Sequence, residues 1–177
     1  MSTESDLRRM AGERRVAICP GSFDPITLGH LNIIRRTSKI FDAVIVCVML
    51  NSSKTMPMFS IAERLDMVQR AVSRYPNVVV DVPDILLAEY AKQFPNAVIV
   101  KGLRAASDFD YEFQMDLINK NINPDLETFF LTASGKYTFL SSSVVREMAK
   151  YGADLTGLVP AELIEEIREK ASQWRKA

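Results

Sequence analysis

The stretch VAICPGSFDPITLGHLNIIRRT, residues 16–37, passes from an apolar run into a loop and then into helical spacing. Val16–Cys19 reads as a strand. Leu28, Leu31, Ile34 and Thr37-Ser38 fit one face of a helix from about 28 to 39. The loop between them carries two glycines, two prolines and, at its end, the chain's only histidine, His30. A buried strand that hands over to a helix in this way is the opening of a βαβ unit.

The same alternation recurs along the chain. Ala43–Leu50, Val78–Val82, Ala97–Lys101 and Thr128–Thr132 are further β-rich runs. They are nearly continuous in apolar residues rather than alternating, as strands buried on both faces are. Between them, Ser60-Ile-Ala-Glu63 has capping-box spacing and opens a helix with Leu65, Val68 and Val72 on one face. Residues 84–94 and 108–121 predict two more helices, and Ser141–Lys150 predicts another that Gly152 is placed to end. Pro160 opens a last amphipathic helix with Leu163, Ile164, Ile167 and Trp174. This order predicts an α/β fold: a doubly wound five-stranded parallel sheet with helices on both faces, Rossmann-like, in one domain over residues 15–177. Residues 1–14 are rich in charge, lack a signal-peptide apolar region, and read as a flexible extension that does no chemistry.

The chain has 177 residues, enough to bury its own core. Its 22 Lys and Arg balance 22 Asp and Glu. No global field then favours nucleic acid or an anionic membrane, and any anion site must come from locally gathered charge. Cys19 and Cys47 lie in apolar runs and read as small core residues, which suits a reducing cytoplasm. One histidine and two cysteines leave little scope for a structural zinc site. The longest apolar run, Ala43–Leu50, is too short to cross a bilayer.

In open α/β sheets ligands bind beyond the carboxyl ends of the strands, where strand order reverses. The polar loops at Gly21–His30, Asn51–Lys54, Lys101–Arg104 and Ala133–Ser143 are expected to converge there. In the first, Gly21 and Gly29 permit close backbone approach and Ser22 offers a hydroxyl. His30 falls in the first helical turn, where N–H groups and the helix dipole favour an anion, so its imidazole can donate to a phosphate oxygen. A lone histidine at a helix start reads equally well as a cap. The loop lacks Gly-Lys-Ser/Thr, which excludes a P-loop ATPase. Lys101 and Arg104 bracket Gly102 and suit phosphate clamping, Arg as a fork and Lys as a point charge; solvated surface cations are the plain alternative. Ser141, Ser142 and Ser143 read first as a helix N-cap and, with Arg146 one turn on, as donors to a polyphosphate. A Ser-His-Asp hydrolase is excluded, since Gly-x-Ser-x-Gly is missing. Asp110, Glu112 and Asp116 read mainly as a solvated helix face alternating with Phe109, Phe113 and Leu117, with Glu112 retained as a nucleotide contact.

PGSFDPITLGH, KGLR, DFDYEFQM and FLSSSVVREM together resemble the phosphopantetheine adenylyltransferases, in that family's order and spacing. The resemblance covers residues 15–174. Thr27-x-Gly29-His30 is similar to the His-x-Gly-His element of the wider nucleotidyltransferase superfamily, and Leu140–Arg146 to its second signature. The resemblance implies a nucleotidyltransferase fold and transfer of the adenylyl group of ATP to 4′-phosphopantetheine, with Mg2+ carried by the ATP phosphates. It implies that His30 holds the α-phosphate, and that Arg104 and Ser141–Ser143 hold the β and γ phosphates, with Phe23, Gly102, Glu112 and Tyr137 near the nucleotide. Ser22, Lys54 and Lys101 are implied at the acceptor phosphate, and Leu86, Leu87 and Asn119 along the pantetheine arm. It further implies a homo-oligomer, a hexamer, with coenzyme A as a feedback ligand and no nucleic-acid or membrane partner. A sister enzyme using CTP or nicotinamide mononucleotide, or a non-catalytic nucleotide-binding protein, are the alternatives.

Overall fold

The computed structural model describes residues 15–50 and 57–174; residues 1–14 and Lys54 lie outside them. Five strands form one parallel sheet: β1 (Val16–Gly21), β2 (Ala43–Val48), β3 (Val78–Asp81), β4 (Val98–Leu103) and β5 (Glu127–Thr132), in the order β3-β2-β1-β4-β5. Val16 pairs with Ala43 on one side of β1, and Ala17 with Val98 on the other. The doubly wound fold expected from the alternation is therefore present.

The near-continuous apolar runs explain the two layers. Along β1, Ala17 and Cys19 face a core shared with α1 (Leu28–Thr37), α2 (Ile61–Val72), α5 (Ser142–Lys150) and α6 (Ile164–Trp174). Val16 and Ile18 face a second core against α3 (Leu87–Ala91) and the end of α4 (Ala106–Ile122). Cys19 and Cys47 are buried and free, as the sequence suggests; burial pushes the Cys19 thiol up to about 12.

Local signals set the helix ends. The Ser60 hydroxyl accepts from the Glu63 N–H at 3.3 Å, and Glu63 accepts from the Ser60 N–H at 2.7 Å, forming the expected capping box. Gly152 has φ +73 just after α5, the left-handed geometry of a helix stop. Pro160 caps a short 3₁₀ turn, Ala161–Leu163, that runs directly into α6.

One expectation needs correction. The helix expected over 84–94 is only Leu87–Ala91: Leu86 is extended and provides no side-chain cap, and Asn96 at φ 61 turns the chain toward β4. On α4, Phe109, Phe113 and Leu117 do not enter a core; they are 42%, 45% and 53% exposed.

Gly102 explains how α1 sits on the sheet. A Cβ at that position would lie 2.8 Å from Ile33 Cγ1, so the bare Cα is what lets α1 pack over β4. Gly102→Ala is expected to cost about 1–3 kcal/mol in denaturant unfolding, as overpacking does. The double variant with Ile33→Ala should lose less than the sum of the two single losses, because the obstructing methylene is gone.

Candidate active site

The carboxyl ends of β1 and β4 open into one cavity of about 1250 Å³, lined by Ser22, Phe23, His30, Lys101, Gly102, Arg104, Glu112, Tyr137 and Ser141–Ser143, among others. Leu86, Leu87 and Asn119 line the same cavity. Every site residue expected from the sequence and described by the structure is thus in one place.

The first wall is the β1–α1 loop. Thr27 is the N-cap of α1, and the His30 N–H donates to its hydroxyl at 3.3 Å. In return the Thr27 N–H donates to His30 Nδ1 at 3.0 Å. This is a capping box with histidine in the place usually held by Glu or Gln. A backbone N–H can only donate, so Nδ1 carries a lone pair and the ring proton is on Nε2. The imidazole is therefore both of the things its position suggested: a cap through Nδ1 and a donor through Nε2.

Phe23 supports this arrangement. It is buried, adopts φ 44, and sets its ring edge-on to His30 with centroids 5.1 Å apart. A left-handed non-glycine residue costs about 1–3 kcal/mol, a strain held here by burial of the ring. A Cβ at Gly21 would approach that ring to 2.8 Å. The bareness of Gly21 thus accommodates Phe23, and the glycine itself also lines the cavity.

The second wall follows β4. Lys101 pairs with Glu112 of α4 at 3.0 Å, and neither side chain is more than 22% exposed. That placement sets Glu112 apart from the solvated face, at the cavity, whereas Asp110 is exposed as expected. Arg104 makes a fork to Asp108 through Nε at 3.1 Å and Nη2 at 3.0 Å, while its Nη1 donates to the Leu140 carbonyl at 3.3 Å. Burial pushes the Asp108 carboxyl up, but the Arg104 hydrogen bonds outweigh it and hold the group below the usual carboxylate range. Each cation is thus paired with a carboxylate at the cavity; the Lys101 side chain is 22% exposed and the Arg104 side chain 40%, so Arg104 also meets solvent.

The serine run closes the third side. Ser141 Oγ accepts from the Val144 N–H at 3.1 Å, as the cap of α5. Ser142 is buried and donates its hydroxyl to the Pro25 carbonyl at 2.8 Å. Ser143 Oγ accepts from Arg146 Nη2 at 3.3 Å. What α5 can offer an anion is then chiefly its first-turn N–H groups and dipole, since first-turn amides have no carbonyl one turn back.

Asp24, Arg64 and Asp108 were given no role by the sequence reading, and Thr27 was named only as part of the Thr27-x-Gly29-His30 element. Its capping role was detectable: it stands three residues before His30, the spacing of a capping box. Asp24 and Arg64 act across long sequence separations and no local pattern marks them, whereas Asp108 stands four residues after Arg104, a spacing that could have been read.

Comparison with known proteins follows this geometry. The sequence model of the cytidylyltransferase-like family matches residues 18–148. The chain is 52% identical over 156 residues to a phosphopantetheine adenylyltransferase of Caldanaerobacter subterraneus subsp. tengcongensis, covering 88% of this chain and 97% of that protein. It is 52% identical over 154 residues to a phosphopantetheine adenylyltransferase of Dictyoglomus turgidum, covering 87% and 96%. The solved structure of a Vibrio parahaemolyticus protein assigned as a nicotinate-nucleotide adenylyltransferase superposes with a TM-score of 0.67 at 18% identity, over 92% of this chain and 96% of that one, and so shares the fold. The histidine-capped loop, the paired cations at the end of β4 and the serine-capped helix thus belong to a chain that is a member of the phosphopantetheine adenylyltransferase family.

Proposed function

We propose that the chain transfers the adenylyl group of ATP to 4′-phosphopantetheine, giving dephospho-coenzyme A and pyrophosphate. The observation that carries this reading is the Thr27–His30 capping box, which presents an Nε2 proton at a helix N-terminus beside two cations and a second helix N-terminus. An oxygen of the acceptor phosphate attacks the α-phosphorus, a new O–P bond forms, and the bond to the β-phosphate oxygen breaks with pyrophosphate leaving. A phosphomonoester is already a competent nucleophile at neutral pH, so no covalent intermediate is needed. Alignment and charge stabilisation remain.

The residues divide that work. His30 Nε2–H donates to the α-phosphate. Arg104 and the amides at Ser141–Ser143 receive the β and γ phosphates, and Glu112 and Tyr137 flank the nucleotide. Lys101, Lys54 and Ser22 receive the acceptor phosphate, with Leu86, Leu87 and Asn119 along its arm. Among the described residues no group of three His, Cys, Asp or Glu side chains is arranged to hold a metal. We therefore assign Mg2+ to the nucleotide's phosphates, whose charge it neutralises when bound. Coenzyme A contains both the nucleotide and the pantetheine arm, and we place it across the same cavity as a feedback ligand.

Exposure of Phe109, Phe113 and Leu117, one helical turn apart on α4, supports a homo-oligomer in which another copy covers that stripe. The family resemblance sets the number at six. Among the described residues no helix is long and apolar enough to cross a membrane. The free buried cysteines suit the cytoplasm, where we place the chain.

The direct test is pyrophosphate release from ATP and Mg2+. Release should require 4′-phosphopantetheine and be accompanied by dephospho-coenzyme A; release with CTP or with another acceptor instead would contradict the reading. His30→Glu separates the two jobs of the imidazole, because Glu keeps the acceptor for the Thr27 N–H but has no proton to donate. We expect kcat to fall about 100- to 1000-fold, with stability held within about 1 kcal/mol. Near-normal turnover would remove His30 from the chemistry. Sedimentation should give six times the 19.9 kDa chain mass, and Phe113→Glu should lower it; a monomeric wild type would refute the oligomer.

A further inference from the structure

The β1–α1 loop is anchored from behind by three side chains that belong to other elements. Arg64 of α2 donates through Nη1 to the Ser22 carbonyl at 2.9 Å. Arg146 of α5 donates through Nη1 to the Asp24 carbonyl. Ser142 donates to the Pro25 carbonyl at 2.8 Å. In a trans peptide the N–H points opposite to the C=O. Holding the Ser22 carbonyl on α2 therefore turns the Phe23 N–H the other way, and Ser22 and Phe23 both line the cavity.

Asp24 is the hub of this anchorage. Its side chain is 2% exposed. Its carboxylate accepts from the Phe59 N–H at 2.9 Å and the Met58 N–H at 3.2 Å, just ahead of α2. It also accepts from Arg146 Nη1 at 3.3 Å. The remaining arm of Arg146 is on Ser143 Oγ. One carboxylate thus joins the histidine loop, the start of α2 and the serine-capped start of α5. The short sequence spacing between the serine run and Arg146 suggested a guanidinium aimed at polyphosphate. The structure instead commits both of its terminal nitrogens to protein oxygens.

We propose that Asp24 and Arg146 are a positioning pair: they set the distance and angle between His30 and the N-terminus of α5, and Arg146 does not touch the triphosphate. This rests on the adenylyl-transfer reading above. His30 and the α5 amides must act on adjacent phosphates of one chain, so a small shift between them changes alignment more than it changes ground-state affinity.

The test is a double-mutant cycle on Asp24→Asn and Arg146→Gln, with Arg146→Lys as a milder variant and circular dichroism to confirm folding. Each of the first two should lower kcat about 10- to 100-fold, the cost of a misplaced group. KM for ATP, and for pyrophosphate in the reverse direction, should stay within about threefold, as when an interaction serves the transition state alone. The double variant should be no slower than the worse single one, since both changes break one unit. Arg146→Lys keeps the charge beside Asp24 but loses the second arm, and should fall between.

A folded Arg146→Gln that raises KM for ATP and pyrophosphate while keeping kcat would overturn the proposal by putting the guanidinium on the phosphates. Full kcat in that variant, or additive losses in the double one, would overturn it too. If wild-type protein makes no dephospho-coenzyme A, the adenylyl-transfer reading fails. Calorimetry with Mg-ATP then decides the placement of Arg146: equal Kd for wild type and Arg146→Gln retains it, and a tenfold or greater loss rejects it.

Discussion

The hydrogen bond from the Thr27 N–H to His30 Nδ1 divides one imidazole between structure and chemistry. Because Nδ1 accepts, the proton resides on Nε2, and the ring is a neutral donor with a fixed orientation. Protonating Nδ1 would remove the cap's acceptor and set a positive ring against the positive end of α1. The same contact that starts the helix therefore favours the tautomer suited to a phosphate oxygen. Phe23 and Gly21 stand behind it: the bare glycine leaves room for the Phe23 ring, and the ring edge packs on His30.

Sheet order supplies the place. β1 is central, and the chain leaves it for β2 and β3 on one side before crossing to β4 and β5 on the other. The loops after β1 and β4 diverge at that reversal, and the cavity opens between them. A chain of zero formal charge thereby gathers Lys101, Arg104 and two helix N-termini at one edge. The carboxylates of Glu112 and Asp108 hold the two cations in position in the meantime. Such preorganised charge acts without reorganising when the reaction occurs.

Periodicity carried much of this. Continuous apolar runs marked the strands, but burial on both faces holds best for the inner β1 and β2 and fails for the edge strand β5, none of whose residues is buried. The Ser60–Glu63 spacing marked the start of α2 to the residue. The fold class and the convergence of the loops followed from these. What was not legible was whatever depends on contacts across long sequence separation. Asp24 draws on Phe59 and Arg146, and nothing near it in the chain announces either partner. The partners of Arg146 were hidden for the same reason: its spacing from Ser143 was visible, but its counter-ion was not. On α4 the stripe of Phe109, Phe113 and Leu117 has ordinary core spacing, and sequence cannot distinguish a face that meets the chain's own core from one exposed on its surface. Residues 84–94 failed as a helix because apolar spacing alone does not supply a cap at Leu86.

Since His30 is the chain's only histidine, nitrogen NMR of protein labelled at histidine nitrogens reads the deciding contact with no assignment problem. At neutral pH, with and without ATP, the spectrum should show one ring nitrogen carrying a proton, Nε2, and Nδ1 as a hydrogen-bonded acceptor. Protonated Nδ1, whether as the other tautomer or as imidazolium, would contradict both the capping box and the role of His30 as a neutral donor.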